Sequence, residues 1–230
     1  MKLLAFETAT EACSVALYLD GEVRERFEIA PRRHAELSLP WADALLAEAG
    51  VARSQLDAIA VGRGPGAFTG VRLAIALAQG IALALDRPVV PVSTLRALAA
   101  QAHGERILAA IDARMGEIYV ATFRREGDDV VATGDEAVIG PSLYELSEQG
   151  DDWFGVGTGF VAESGMLQSR LRGRFTRIDA TALPRASDVA KLAALAHARG
   201  DAIAAELVEP AYLRNNVALT LEEQKALRAR

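Results

Sequence analysis

The sequence predicts an α/β protein made of two related halves, each a mixed sheet with helices on its faces. Three observations predict it. Short apolar runs of strand length alternate with longer stretches of helical period along the chain. The pattern also restarts. Leu4-Ala5-Phe6-Glu7-Thr8-Ala9 is echoed 105 residues later by Ala109-Ala110-Ile111-Asp112-Ala113-Arg114. Each of these strands ends in an acidic residue, passes a small-residue turn and returns as an alternating strand. Finally, 230 residues with 51% hydrophobic and 24% charged side chains can bury a sizeable core.

The elements follow in order. Lys2 to Phe6 is a short apolar strand, and Ser14 to Asp20 alternates with Val15, Leu17 and Leu19 on one face. Asp20-Gly21 is a hairpin turn leading to a strand over Val23 to Ile29. His34 to Ala49 is a helix with Leu37, Trp41, Leu45 and Ala49 near helical period, and Gly50 stops it. Ala58 to Val61 is a strand, Thr69 to Leu85 a helix with Thr69 as its N-cap, and Pro88 to Val92 a strand before a further helix. The second half reads as strands over Ile107 to Ile111, Glu117 to Phe123 and Val130 to Ile139, then a helix over Pro141 to Glu148 opened by its proline. A strand over Trp153 to Val156, Gly157-Thr158-Gly159, a helix to about Leu171, an amphipathic helix over 187–199 and a polar helical tail over 219–229 complete it. The halves divide as 1–105 and 106–230, with the last helix packing back on the first half.

Composition narrows the function classes. The formal net charge of −6 argues against a freestanding nucleic-acid binder, which needs a basic surplus to neutralise phosphates. One cysteine, Cys13, allows no internal disulfide, and the three histidines lie far apart in sequence. The N-terminal apolar run is interrupted at Glu7, too early for a signal-peptide core, and the longest uncharged helical stretch, Leu73 to Leu85, falls short of the ~20 residues of a membrane span. A cytoplasmic protein with no membrane contact is expected.

The densest motif is Gly62-Arg63-Gly64-Pro65-Gly66-Ala67-Phe68-Thr69-Gly70-Val71-Arg72, between a strand and a helix. It reads either as a ligand or partner loop or as a tight strand-to-helix turn; without a Gly-Lys-Ser/Thr ending it is not a P-loop. The helix after it is apolar on nearly every face and must be covered by its own core or by another chain. Ala74, Ala78 and Ala82 repeat every four positions and permit close helix approach. Glu7 and Asp112 stand at equivalent strand ends, where carboxylates serve hydrogen bonding, a nucleotide-bound metal or water activation. Cys13 reads as a small buried residue. Arg170, Arg172, Arg174 and Arg177 form the one basic cluster, read as a solvated helix-to-strand connection rather than an RNA contact.

Several motifs occur in order: Phe6-Glu7-Thr8-Ala9-Thr10, His34-Ala35-Glu36 with Leu39-Pro40, the glycine-rich run, Val92-Ser93-Thr94-Leu95, Ile111-Asp112-Ala113-Arg114 with Gly116-Glu117-Ile118-Tyr119, and Glu209-Pro210-Ala211-Tyr212-Leu213-Arg214. From residue 2 to about 214 the chain resembles the TsaB (YeaZ) family, bacterial subunits of the machinery that makes N6-threonylcarbamoyladenosine at position 37 of tRNA. The resemblance implies an actin-like or Hsp70-like ATPase fold with ribonuclease-H-like duplicated lobes. It implies a non-catalytic scaffold that activates a TsaD-type transferase, with a TsaE-type ATPase as further partner and tRNA reached only through the complex. It also implies homodimerisation through the same surface when the chain is alone. The helices matching that surface are His34–Glu48 and Thr69–Leu85, giving an expected interface of His34, Leu37, Trp41, Leu45, Phe68, Leu73, Ala76, Leu77 and Gly80. Catalytic residues and metal are expected to be absent. Where the transferase carries His-x-x-x-His to hold its metal, this chain reads Thr94-Leu95-Arg96-Ala97-Leu98, and threonine and leucine cannot replace two imidazole ligands. The Asp-x-Gly-Thr type phosphate loops of actin-like kinases are also missing. A vestigial nucleotide site would comprise Glu7, Thr8, Asp112, Gly157 and Gly159, with weak ATP or ADP binding at best and no cofactor. The alternative function is an independent actin-fold ATPase or kinase.

Overall fold

The computed structural model describes residues 1–214; the tail helix expected over 219–229 lies outside them. The first sheet is built from β1 (Lys2–Glu7), β2 (Ala12–Leu19), β3 (Glu22–Ile29), β4 (Ala58–Gly62) and β5 (Val89–Val92), in the order β3-β2-β1-β4-β5. β1 pairs antiparallel with β2 and parallel with β4, and β4 pairs parallel with β5. The second sheet repeats this plan with β6 (Arg106–Arg114), β7 (Glu117–Glu126), β8 (Asp129–Ala132), β10 (Trp153–Val156) and β11 (Phe175–Asp179), in the order β8-β7-β6-β10-β11. Its pairs have the same sense: β6 antiparallel to β7 and parallel to β10, β10 parallel to β11. The restart seen in the sequence is therefore a repeat of topology. An additional strand, β9 (Ala137–Ile139), pairs with β7.

Among the described residues, five α-helices cover the sheets. α1 (His34–Ala49) and α2 (Phe68–Leu85) lie on the outer face of the first sheet, where Leu4, Phe6, Leu17, Ile59 and Val61 meet Leu45, Leu46, Ala74 and Ala78. α3 (Thr94–Ala100) and α5 (Ala186–Ala198) form a layer between the two sheets. α5 packs on the first sheet and α3 on the second, so each helix covers the sheet of the other half. Alanines at the first sheet's inner face (Ala5, Ala16, Ala58, Ala60) leave room for α5 to approach closely. α4 (Met166–Arg170) is a short helix on the outer face of the second sheet, beside Trp153 and Phe160.

Four expectations are corrected. The α2 N-cap position is Ala67, with no side-chain cap, and Thr69 lies exposed in the first turn; the helix starts early because the Ala67 N–H is held by the Ala9 carbonyl at 2.7 Å. Pro141 to Glu148 forms no helix. Arginines from elsewhere in the chain take carbonyls of the segment 144–150: Arg170 donates to Tyr144 O at 2.7 Å, Arg106 to Gln149 O at 2.7 Å and Arg174 to Gly150 O at 2.5 Å. The basic cluster is thus partly structural, and Arg177 lies within β11. The helix expected after Gly159 is broken by Glu163, Ser164 and Gly165, all at positive φ. The strand expected over Val130 to Ile139 is two strands, β8 and β9, bound to different stretches of β7.

Candidate functional site

The glycine-rich loop between β4 and α2 closes over the β1–β2 turn. A Cβ on Gly62 would lie 1.9 Å from Glu7 Oε2, one on Gly66 2.4 Å from Ala9 O, and one on Gly70 2.0 Å from Thr8 O. These glycines exist so that two backbones can touch. The turn holds the loop in return, with Thr8 Oγ1 donating to Gly70 O at 2.7 Å. Of the two readings of this motif, its glycines serve the tight turn.

Glu7 sits beneath the loop, fully buried, and forms no ion pair among the described residues. Its Oε1 accepts from Ala9 N at 2.7 Å and its Oε2 from Thr94 Oγ1 at 2.9 Å, while Thr94 Oγ1 accepts from Gly64 N at 3.2 Å. Burial pushes the carboxyl up to about 7, against the pull of these hydrogen bonds. Glu7 and Thr94 therefore tie β1, the glycine loop and α3 together. The Thr94 hydroxyl serves Glu7, and Leu98 packs where a Cβ on Gly157 would fall 2.5 Å from its Cδ2. This donor set does not fit a transition metal, and among the described residues no three His, Cys, Asp or Glu side chains converge on one point.

The second junction is open. Asp112 is partly exposed on the wall of a cleft of ≈ 690 Å³ between the sheets, together with Thr158, His34, Tyr119, Tyr212 and Arg214. Its carboxylate accepts from Arg114 N and pairs with the Arg114 guanidinium, both at 2.8 Å. Gly157 and Gly159 lie below, pressed against the Ala110 backbone, where a Cβ would come within 2.3 Å and 2.8 Å of it. Of the five residues expected to form a vestigial nucleotide site, only Asp112 lines the cleft; Glu7, Thr8, Gly157 and Gly159 are taken up by packing.

The expected interface residues divide as well. Leu37 and Leu45, also expected there, belong to the inward stripe of α1 and are buried in the fold of this chain. His34 turns to the cleft, its Nε2 3.0 Å from Thr10 O. Trp41 is half-buried between α1 and the core. On α2, Ala74, Ala78 and Ala82 face the sheet, leaving Ala76 and Gly80 exposed and Leu73 and Leu77 half-exposed in one stripe. Phe68 is 60% exposed at its start and Leu83 65% exposed near its end. By length and composition alone α2 could cross a membrane, but its alanine face is committed to the core.

A segment missed as part of this surface runs back along α2. Gln79 Nε2 donates to Ala205 O at 2.9 Å, Ala211 N to Arg63 O at 2.9 Å and Arg72 Nε to Tyr212 Oη at 2.7 Å. The Arg72 guanidinium stacks 3.2 Å above the Phe68 ring. The Glu209-Pro210-Ala211-Tyr212-Leu213-Arg214 motif is visible in the sequence, but nothing local in it says which helix it crosses.

Known proteins resemble the chain in both sequence and structure. The sequence model of the family described as "TsaD: tRNA N6-adenosine threonylcarbamoyltransferase" matches residues 27–221. The chain is similar to a "tRNA threonylcarbamoyladenosine biosynthesis protein TsaB" of Escherichia coli K12, 42% identical over 95% of this chain and 96% of that one. A protein of the same description from Haemophilus influenzae is 40% identical over 94% and 95%. The solved structure of "YeaZ from Pseudomonas aeruginosa" superposes with a TM-score of 0.86 at 47% identity, covering 92% of this chain and 99% of that one.

Proposed function

The chain belongs to the TsaB family, and on that premise we propose that it is a non-catalytic scaffold which binds and activates a TsaD-type transferase in tRNA threonylcarbamoyladenosine synthesis. The observation that carries this reading is the apolar stripe of α2 beside α1, with Ala76, Gly80 and Leu83 exposed and Leu73 half-exposed at its edge. An isolated protein leaves such a stripe in water only at a cost, and a second chain removes it. Alone, the chain pairs with a second copy through the same stripe. A TsaE-type ATPase joins the assembly, and tRNA is reached through the complex in the cytoplasm. The chain brings no cofactor: Thr94 and Glu7 satisfy one another where a metal would sit, and Leu98 offers no ligand atom.

Ala76→Asp tests this. It places a charge at an exposed helical position, so the fold should survive while the complex with the same organism's TsaD-type subunit is lost by size exclusion with light scattering. A 1:1 complex that forms undiminished with the variant would refute the helix assignment. The cleft with Asp112 and Thr158 favours a second reading, an independent ATPase or kinase. Calorimetry with millimolar ATP decides it: measurable binding supports that reading, and no heat removes it.

A further inference from the structure

We propose that the partner face does not end at α2 but continues across the C-terminal strap, residues 205–212, with Leu207 and Tyr212 as its apolar contacts. The occupant is the TsaD-type subunit, so the inference rests on the function proposed above and enlarges its surface.

The geometry is set by the helical period. At 100° per residue, Gln79 and Arg72 share one flank of α2, and Ala76 and Leu83 adjoin that flank on the solvent side. Gln79 and Arg72 are the residues that grip the strap, at Ala205 and at Tyr212. The strap therefore lies directly beside the exposed stripe and runs antiparallel to the helix for two turns. The opposite flank, with Leu77 and Ile81, is packed with Trp41 in the outer core cluster. Strap residues divide between core and solvent. Ala205 and Val208 point into the core, whereas Leu207 is 63% and Tyr212 53% exposed. Tyr212 lies beside the exposed Phe68, ring centroids 6.5 Å apart, so the strap's apolar surface adjoins that of the helix and does not stand alone.

Area supports the same conclusion. Eighteen residues of α2 and sixteen of α1 present footprints of roughly 27 × 10 Å and 24 × 10 Å, about 500 Å² together. A stable complex needs about 800 Å² on each partner. The strap, which opens with a 3-10 turn at Ala205–Leu207, follows two turns of α2, roughly 11 Å, and supplies part of the missing area.

Cys13 is the sole cysteine and is buried, so single exposed cysteines can be labelled selectively. Leu207→Cys and Ala76→Cys, each carrying an environment-sensitive fluorophore, are titrated with the TsaD-type subunit. The expected result is a blue shift from both labels, and a Kd for Leu207→Asp about tenfold weaker with an unchanged thermal melt. A shift at position 76 with none at 207, and an undiminished affinity for Leu207→Asp, overturns the strap while leaving the α2 interface standing. No shift at either position overturns the partner reading and the strap with it. If Leu207→Asp melts early, Leu207→Ser and the position-207 label decide in its place.

Discussion

The two sheets share one topology, yet their equivalent strand ends have different jobs. At the end of β1, Glu7 is buried under the glycine loop and held by Ala9 N and Thr94 Oγ1. At the end of β6, Asp112 faces a cleft and pairs with Arg114, which is 78% exposed. Below both, glycines let a loop backbone press on the strand end. Duplication preserved the close approach of loop and strand in each half; the carboxylate became a strut in one and stayed at the surface in the other. The closed junction also anchors α2 and therefore the proposed partner face, whereas the open one anchors the cleft.

The sharpest way to break this contrast is to spoil the closed junction. Gly70→Ala would set a Cβ 2.0 Å from the Thr8 carbonyl oxygen, and since that atom is backbone, β1 or α2 must move. A loss of about 3 kcal/mol or more is expected, read as a fall of roughly 6–12 °C in Tm. Gly80→Ala, on the same helix, meets nothing within 4 Å and should gain up to about 1 kcal/mol. Equal effects of the two variants would mean that the loop yields where its packing says it cannot.

Glu7 gives the next largest effect, and it depends on pH. Its folded pKa of about 7 lies above the ordinary carboxylate value of 4.5, so the folded state holds the proton more tightly than the unfolded chain. Its stabilising contribution is complete below about pH 4.5 and fades as pH rises through 7. At about 1.4 kcal/mol per pH unit, wild type should lose of order 3 kcal/mol relative to Glu7→Gln across that window. Urea titrations of both proteins from pH 4.5 to 8 measure the difference. A constant difference would show that the carboxyl is ionised throughout, and that the hydrogen bonds from Ala9 and Thr94 outweigh burial.

Much of the fold was legible because it is local. Alternation marked β2, Gly50 marked the end of α1 with a positive φ, and the 105-residue echo marked the repeated sheet. What stayed hidden depends on distant partners. The segment 141–148 has a helical pattern, but Arg106, Arg170 and Arg174 occupy nearby carbonyls from sites more than twenty residues away. Helical period shows that Leu37 and Leu45 share a face of α1, but not that this face looks inward. Likewise Glu7 and Asp112 are alike in sequence context. Only the partners supplied by Thr94 and Gly64 on one side, and the cleft on the other, separate them.

The smallest expected effect tests the open junction from its own side. Asp112→Asn keeps the side-chain oxygen that accepts from Arg114 N and removes only the ion pair with the Arg114 guanidinium. That guanidinium is mostly in water, and exposed pairs contribute little because solvent screens them and the side chains lose freedom to form them. Stability should therefore change by no more than about 0.5 kcal/mol. Chemical denaturation of both proteins measures the difference. A loss above about 1.5 kcal/mol would mean that Asp112 is a second strut, and the two halves would then differ in exposure but not in the work their carboxylates do.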